Sequence, residues 1–149
     1  MTGTSGTTAP APRPTRRPSP GLYKAYHWTL AVFLVGGAIQ IFLAGLGVFS
    51  SSGDDPGIDP HRFFALVLAG IAFVAVVLAA LARAGRRAIG LSVLLFLLVF
   101  LAQGFLAEWG RELSAWFGGL HALDGLIIIG LAGYLFGSSF EGRSAVTRR

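Results

Sequence analysis

The sequence predicts an all-α fold, an integral membrane, antiparallel four-helix bundle made of two copies of a two-helix unit (helices 1-2 and 3-4). Three observations predict it. Of the 149 residues, 54% are hydrophobic and only 13% charged, and the mean hydropathy of +0.68 is too high for an ordinary soluble domain. The apolar residues gather into four runs, each close to the roughly 20 residues that cross a bilayer as a helix. Residues 40–47 match residues 103–110 at Gln, Phe, Leu, Ala and Gly, and each copy is followed by a loop and then a histidine, His61 or His121.

Residues 1–22 are rich in Thr, Ser, Pro and Gly and contain Arg13, Arg16 and Arg17. They hold too little apolar surface to offset the entropy of ordering, so the expectation is a disordered N-terminal arm. The transmembrane domain covers 23–138, with spans at about 26–49, 61–82, 88–107 and 119–137. The first apolar run is too long for the apolar core of a signal peptide. Tyr23, Tyr26, His27 and Trp28 precede it as an expected interfacial belt. A turn-rich acidic stretch, 50–60, ends in Asp59-Pro60, which reads as an N-cap with proline at the first helical position, putting His61 in the first turn of helix two. Arg83, Arg86 and Arg87 mark the next turn. Residues 108–117, with Trp109 and Trp116, are amphipathic and read as a short interfacial helix or loop that Gly118-Gly119 breaks before the fourth span. A polar tail, 139–149, closes the chain.

Charge sets the orientation. Ten of the twelve bases fall on one side of this topology and only Arg62 and Arg111 on the other, which also holds six of the seven acids. By the positive-inside rule, both termini are cytoplasmic. The preference for Arg over Lys, eleven to one, reads as the codon bias of a GC-rich bacterial genome, hence a multi-pass protein of a bacterial cell membrane. The bases are split among termini and loops, which argues against a nucleic-acid partner and leaves the lipid bilayer as the expected surroundings. The chain has no cysteine, which excludes disulfides, thiolate metal sites, iron–sulfur ligation and a Cys nucleophile. No phosphate loop, nucleophile triad or metalloprotease helix is present, so no catalytic residue is assigned.

The polar groups inside apolar runs define the candidate site, because such groups are expensive in lipid. His61 and His121 share a depth near the outer ends of helices two and four, which a bundle with short loops places on or near a diagonal. Two imidazoles facing each other there would supply both axial ligands of a haem iron, the porphyrin giving the four equatorial nitrogens. On helix two Ala65, Ala69, Ala72 and Ala79 leave room, as do Gly125, Ala132 and Gly133 on helix four; such stripes also let helices pack closely with no cofactor. Gln40 and Gln103 read either as hydrogen-bond partners of a ligand or of the histidines, or as interhelical glue. Asp124, one turn after His121, would orient that imidazole, take part in proton transfer, or pair with Arg62 or Arg111. Arg62 and Arg111 suit haem propionates; the alternative is pairing with Glu108 or Glu112.

The series QIFLAGLGVF, His61-Arg62, Gln103 and HALDG resembles a family of small uncharacterised four-helix bacterial integral membrane proteins over about residues 22–138. The same layout of Gln, His-Arg, Gln and His resembles one half, one four-helix bundle, of haem A synthase. That resemblance implies a histidine pair from the second and fourth helices, here His61 and His121. This chain has one bundle where the synthase has two, lacks a loop cysteine pair, and has only Asp59 near the place of an acid before the first histidine. The resemblance therefore implies haem binding rather than haem A synthesis. The expected function is binding of haem b between His61 and His121 for electron transfer or haem handling, with a redox partner or larger membrane complex. The rival is a non-catalytic membrane subunit or scaffold whose His and Gln residues are packing polars; a third reading is a small quinone-linked or proton-coupled redox enzyme.

Overall fold

The computed structural model describes residues 19–49 and 60–147. It is helical throughout, with no strand among the described residues. The first helix, α1, is Pro20–Phe49 and α2 is Pro60–Leu81; α3 is Arg86–Leu97, followed by a π-helical turn, Leu98–Ala102, and α4, Gln103–Glu112; α5 is Ala115–Thr147. Four stretches are long and apolar enough to cross a membrane: Pro20–Gly47, Pro60–Leu81, Arg86–Glu112 and Ala115–Phe140. Large apolar side chains such as Val35, Phe73, Leu94 and Ile127 face outward, which suits a hydrocarbon solvent and would be costly in water. The expected arm up to residue 18, the acidic stretch 50–59 with its Asp59 cap, and residues 148–149 lie outside the described residues.

The four spans form a ring of neighbours. By close backbone approach, α1 lies beside α2 and α5, and the third span, α3 to α4, also lies beside α2 and α5; across the two diagonals side chains meet, Tyr26 with Ser92 and His61 with His121. The second and fourth spans, which carry the two histidines, are therefore diagonal, as short connections predict. Alanine makes the close approaches possible. Ala69, Ala72, Ala75 and Ala79 of α2 are buried, with Tyr26, Leu30 and Phe33 of α1 and Leu95 of α3 filling the core around them. Most of the alanine stripe is thus packing surface, and Ala65 and Ala69, at its upper end, border a cavity. On α1, a Cβ on Gly36 would stand 2.6 Å from Leu68 Cδ2, and one on Gly37 would overlap Ile129 Cδ1. Glycine admits both neighbours.

Three features depart from the sequence expectation. Helix α1 starts at Pro20, inside the stretch expected to be disordered, because proline suits a first helical turn. Only Trp28 of the expected aromatic belt is well exposed; Tyr23, Tyr26 and His27 are buried. Their polar ends find partners, with Tyr26 Oη 2.9 Å from Ser92 Oγ and His27 Nδ1 2.6 Å from Ser139 Oγ, which removes the usual cost of burying them. Finally, 108–117 is not a separate surface element. The third span continues to Glu112, the chain turns at Leu113 and Ser114, and Gly118 and Gly119 lie inside α5. The turn is closed by Ser114 N–H donating to Trp109 O at 3.2 Å and Phe117 N–H donating to Ser114 O at 3.0 Å.

The turn between α2 and α3 is where the arginines predicted it. Arg83 adopts φ 54°, Ala84 N–H donates to Ala79 O at 2.9 Å, and Gly85 at φ 93° redirects the chain into α3. Left-handed conformations of this kind end helices by satisfying their last carbonyls.

Candidate functional site

His61 sits in the first turn of α2 and His121 two turns into α5. Their rings meet edge to face, with centroids 6.3 Å apart and planes inclined at 68°. Each histidine is locked to its own glutamine by two reciprocal hydrogen bonds. In the first unit Gln40 Nε2 donates to the His61 carbonyl at 2.9 Å, and His61 Nδ1 lies 3.2 Å from the Gln40 carbonyl. In the second unit Gln103 Nε2 donates to the His121 carbonyl at 2.9 Å, and His121 Nδ1 lies 3.1 Å from the Gln103 carbonyl. A carbonyl only accepts, so each Nδ1 carries a proton, which in a neutral imidazole leaves the lone pair on Nε2. This is the tautomer a metal-binding imidazole needs, set by a bond on its other nitrogen.

The two units differ in what else the glutamine touches. Gln40 Nε2 lies 3.4 Å from His61 Nε2, at the long limit of a hydrogen bond, and Gln40 Oε1 is buried with no hydrogen-bond partner. Gln103 Nε2 instead donates to Asp124 Oδ2 at 3.0 Å. Asp124 is only 7% exposed, and its partner explains how a carboxylate is held at this depth.

A cavity of about 1060 Å³ opens beside the histidines, at the upper end of the range of small-molecule sites. Both histidines, both glutamines, Arg62 and Arg111 line it, above a floor that includes Phe33, Leu68 and Val99. The structure thus brings together six of the seven predicted site residues around one space, with Asp124 behind Gln103. Arg111 Nη2 pairs with Glu108 Oε2, the alternative weighed for that arginine; Arg62 is exposed.

The spacing alone is that of two imidazole nitrogens bonded to one ion: bonds of about 2 Å and roughly 1.1 Å from each nitrogen to its ring centre put ring centres about 6.2 Å apart, against 6.3 Å here. Among the described residues no three His, Cys, Asp or Glu side chains are grouped to hold an ion.

Several contributors were not read from the sequence. The reciprocal acceptors are main-chain carbonyls, which no side-chain pattern reveals. Ser92 and Ser139, which hold Tyr26 and His27, are polar residues inside apolar runs, the signal that marked the other site residues. The Ser139 hydroxyl donates to Phe136 O at 2.6 Å, so it accepts from His27 Nδ1–H, and the His27 ring stacks on Phe136 at 4.6 Å. This cluster, at the far end of α1 from Gln40, is a structural joint.

The chain is similar to a family of unknown function (DUF6220), whose model matches residues 40–103. The matched stretch begins at Gln40 and ends at Gln103, so it holds the whole first Gln–His unit and stops before His121. No curated protein and no solved structure matches the chain.

Proposed function

We propose that this four-span membrane protein binds b-type haem, with His61 and His121 as axial ligands, and serves electron transfer or haem handling. The observation that carries the reading is the adjacent imidazole pair, edge to face at 6.3 Å, each ring fixed by Nδ1 on a main-chain carbonyl. When bound, haem supplies a one-electron couple; the protein holds the iron and shields it. The cavity beside the rings, about 1060 Å³, would take the macrocycle; Arg62 would suit a propionate, and Arg111 would do so by exchanging its bond to Glu108. Likeness of the layout to one half of haem A synthase supports the same reading.

The chain is, in this proposal, an antiparallel bundle in a bacterial cell membrane, with both termini cytoplasmic and the histidine layer near the outer face. The bundle is, in the same proposal, an internal repeat of a two-helix unit. Pairs 60 residues apart on α2 and α5 share a burial state: Leu68 and Ile128, Ala72 and Ala132, Ala75 and Leu135, and Ala79 and Ser139 are all buried. The expected partner is a membrane redox protein or complex.

The second reading is a non-catalytic subunit or scaffold. The reciprocal Gln–His bonds favour it, because they join α1 to α2 and α4 to α5 without any ligand. Absorbance decides between the two. Protein purified in detergent and supplied with haem b should give a reduced-minus-oxidised spectrum of a six-coordinate haem, lost in His61→Ala and in His121→Ala. A wild type that stays colourless rejects haem binding, and a spectrum indifferent to both substitutions rejects the ligands.

A further inference from the structure

We propose that the cavity is filled from the bilayer, through a window between α2 and α4 that passes a flat, lipid-soluble acid, haem b, sideways to the histidine layer. The inference rests on the haem reading and adds the route by which the ligand arrives. Two of the four gaps around the cavity are tied by side chains, α1 to α2 through Gln40 and His61 and α4 to α5 through Gln103 and His121. The gap between α2 and α4 is different. Helix α2 runs beside α3 and the π turn, but its Cα atoms all stay more than 8 Å from those of α4. Helices in direct contact have axes about 8–10 Å apart and Cα atoms about 2.3 Å off axis, which brings facing Cα atoms to within about 6 Å. Helix α4 therefore stands off α2 and leans on α5, backbone to backbone at Gly110 and Gly118. The parting begins at Leu98–Ala102, and a π turn is one of the few features that bend a helix.

Both sides of this gap line the cavity, Arg62 and Leu66 on α2, and Phe100, Gly104 and Arg111 on the third span. They also reach the outer surface of the bundle. Leu66 is 65% and Phe100 51% exposed, and a Cβ on Gly104 would meet nothing within 4 Å. The sides are apolar at Leu66, Phe100 and Gly104 and become basic at Arg62 and Arg111, toward the helix ends. That gradient suits a molecule with an apolar body and carboxylates on one edge, which slides in from lipid with its acids level with the arginines. On the opposite side α1 and α5 are close neighbours, with Ile129 seated on Gly37; Ile41 and Leu126 border the cavity there and provide the comparator.

The test exploits a chain without cysteine. Leu66→Cys with Gly104→Cys puts one thiol on each side of the window, and a bifunctional maleimide long enough to link them closes it. Full-length protein in lipid vesicles receives haem b from donor vesicles, and the rise of the haem absorbance is timed against the same protein unlinked. Linking before haem is added should slow uptake about tenfold or more, and linking after loading should slow loss to an acceptor apoprotein by a similar factor. The comparator pair, Ile41→Cys with Leu126→Cys, should change neither rate when linked. A second measurement needs no haem: a fluorophore on Gly104→Cys should be quenched by lipids spin-labelled on the acyl chain more than by iodide in the water. Uptake that ignores the α2–α4 link, uptake slowed only by the α1–α5 link, or quenching by iodide that equals that by lipid overturns the window and leaves haem binding standing. A wild type that stays colourless overturns both.

Discussion

Gly110 and Gly118 bring two helix ends together backbone to backbone: a Cβ on Gly110 would stand 2.9 Å from Gly118 N and 3.0 Å from its Cα. Both residues border the cavity, next to Arg111 and within a turn of His121. No flexible side chain is there to yield, so a methyl group must push α4 and α5 apart. Gly110→Ala should cost about 1–3 kcal/mol, the usual penalty of overpacking. Thermal unfolding in detergent measures it, with Gly90→Ala as comparator. A Cβ on Gly90 meets nothing within 4 Å, and that variant should be neutral or up to about 1 kcal/mol more stable, from helix propensity alone.

The π-helical turn Leu98–Ala102 accounts for a mismatch between the two units. Leu30, Phe33 and Gly37 of α1 correspond in burial to Ser92, Leu95 and Val99, 62 residues later, whereas Gln40 corresponds to Gln103, 63 later. The third span therefore holds one residue more than the first between its buried layer and its glutamine. A π turn takes up one extra residue in a helix without turning the rest of it out of register. Deleting Phe100, which is exposed, should turn this segment into ordinary α-helix and keep both the Tyr26–Ser92 and the Gln103–His121 bonds. Deleting Val35, also exposed but in the regular helix α1, should rotate Gln40 away from His61 by about 100°. Folded yield and thermal midpoint should fall far more for the second deletion than for the first.

The parts of this architecture that were legible in the sequence are those where side-chain chemistry meets an apolar background. Four long apolar runs can only be buried in lipid or in one another, and Gln40, His61, Gln103, His121 and Asp124 stand out because an isolated polar group is costly there. The sharing of one depth by the two histidines follows from span length and short turns. What was illegible depends on groups that look the same in either outcome. Gly118-Gly119 reads equally as a helix break or as a seat for a close neighbour, and the position of Gly110 across the turn decides for the seat. Tyr23, Tyr26 and His27 have the composition of an interfacial belt and of a buried polar joint alike; only the placing of Ser92 and Ser139 distinguishes the two. The π turn has no composition signal at all, since it follows from a difference in spacing that becomes visible once the buried residues are known.

The joint between α1 and α5 can be tested apart from the histidine site. His27 is 2% exposed, and its Nδ1–H is received by the Ser139 hydroxyl, which itself donates to Phe136 O. Ser139→Ala removes that acceptor. Losing a buried hydrogen bond of this kind costs about 1–3 kcal/mol, and the ring stays packed against Phe136 and Phe140. Ser139→Thr keeps the hydroxyl and should restore most of the stability, set against a small cost for one added methyl. Because His27 lies on α1 some 13 residues from Gln40, about 20 Å along the helix, both variants should leave any haem spectrum as it is in wild type. Unfolding midpoints that are equal in wild type and Ser139→Ala would show that the hydrogen bond contributes nothing net, and a spectrum altered by Ser139→Ala would show that the joint and the histidine site are coupled.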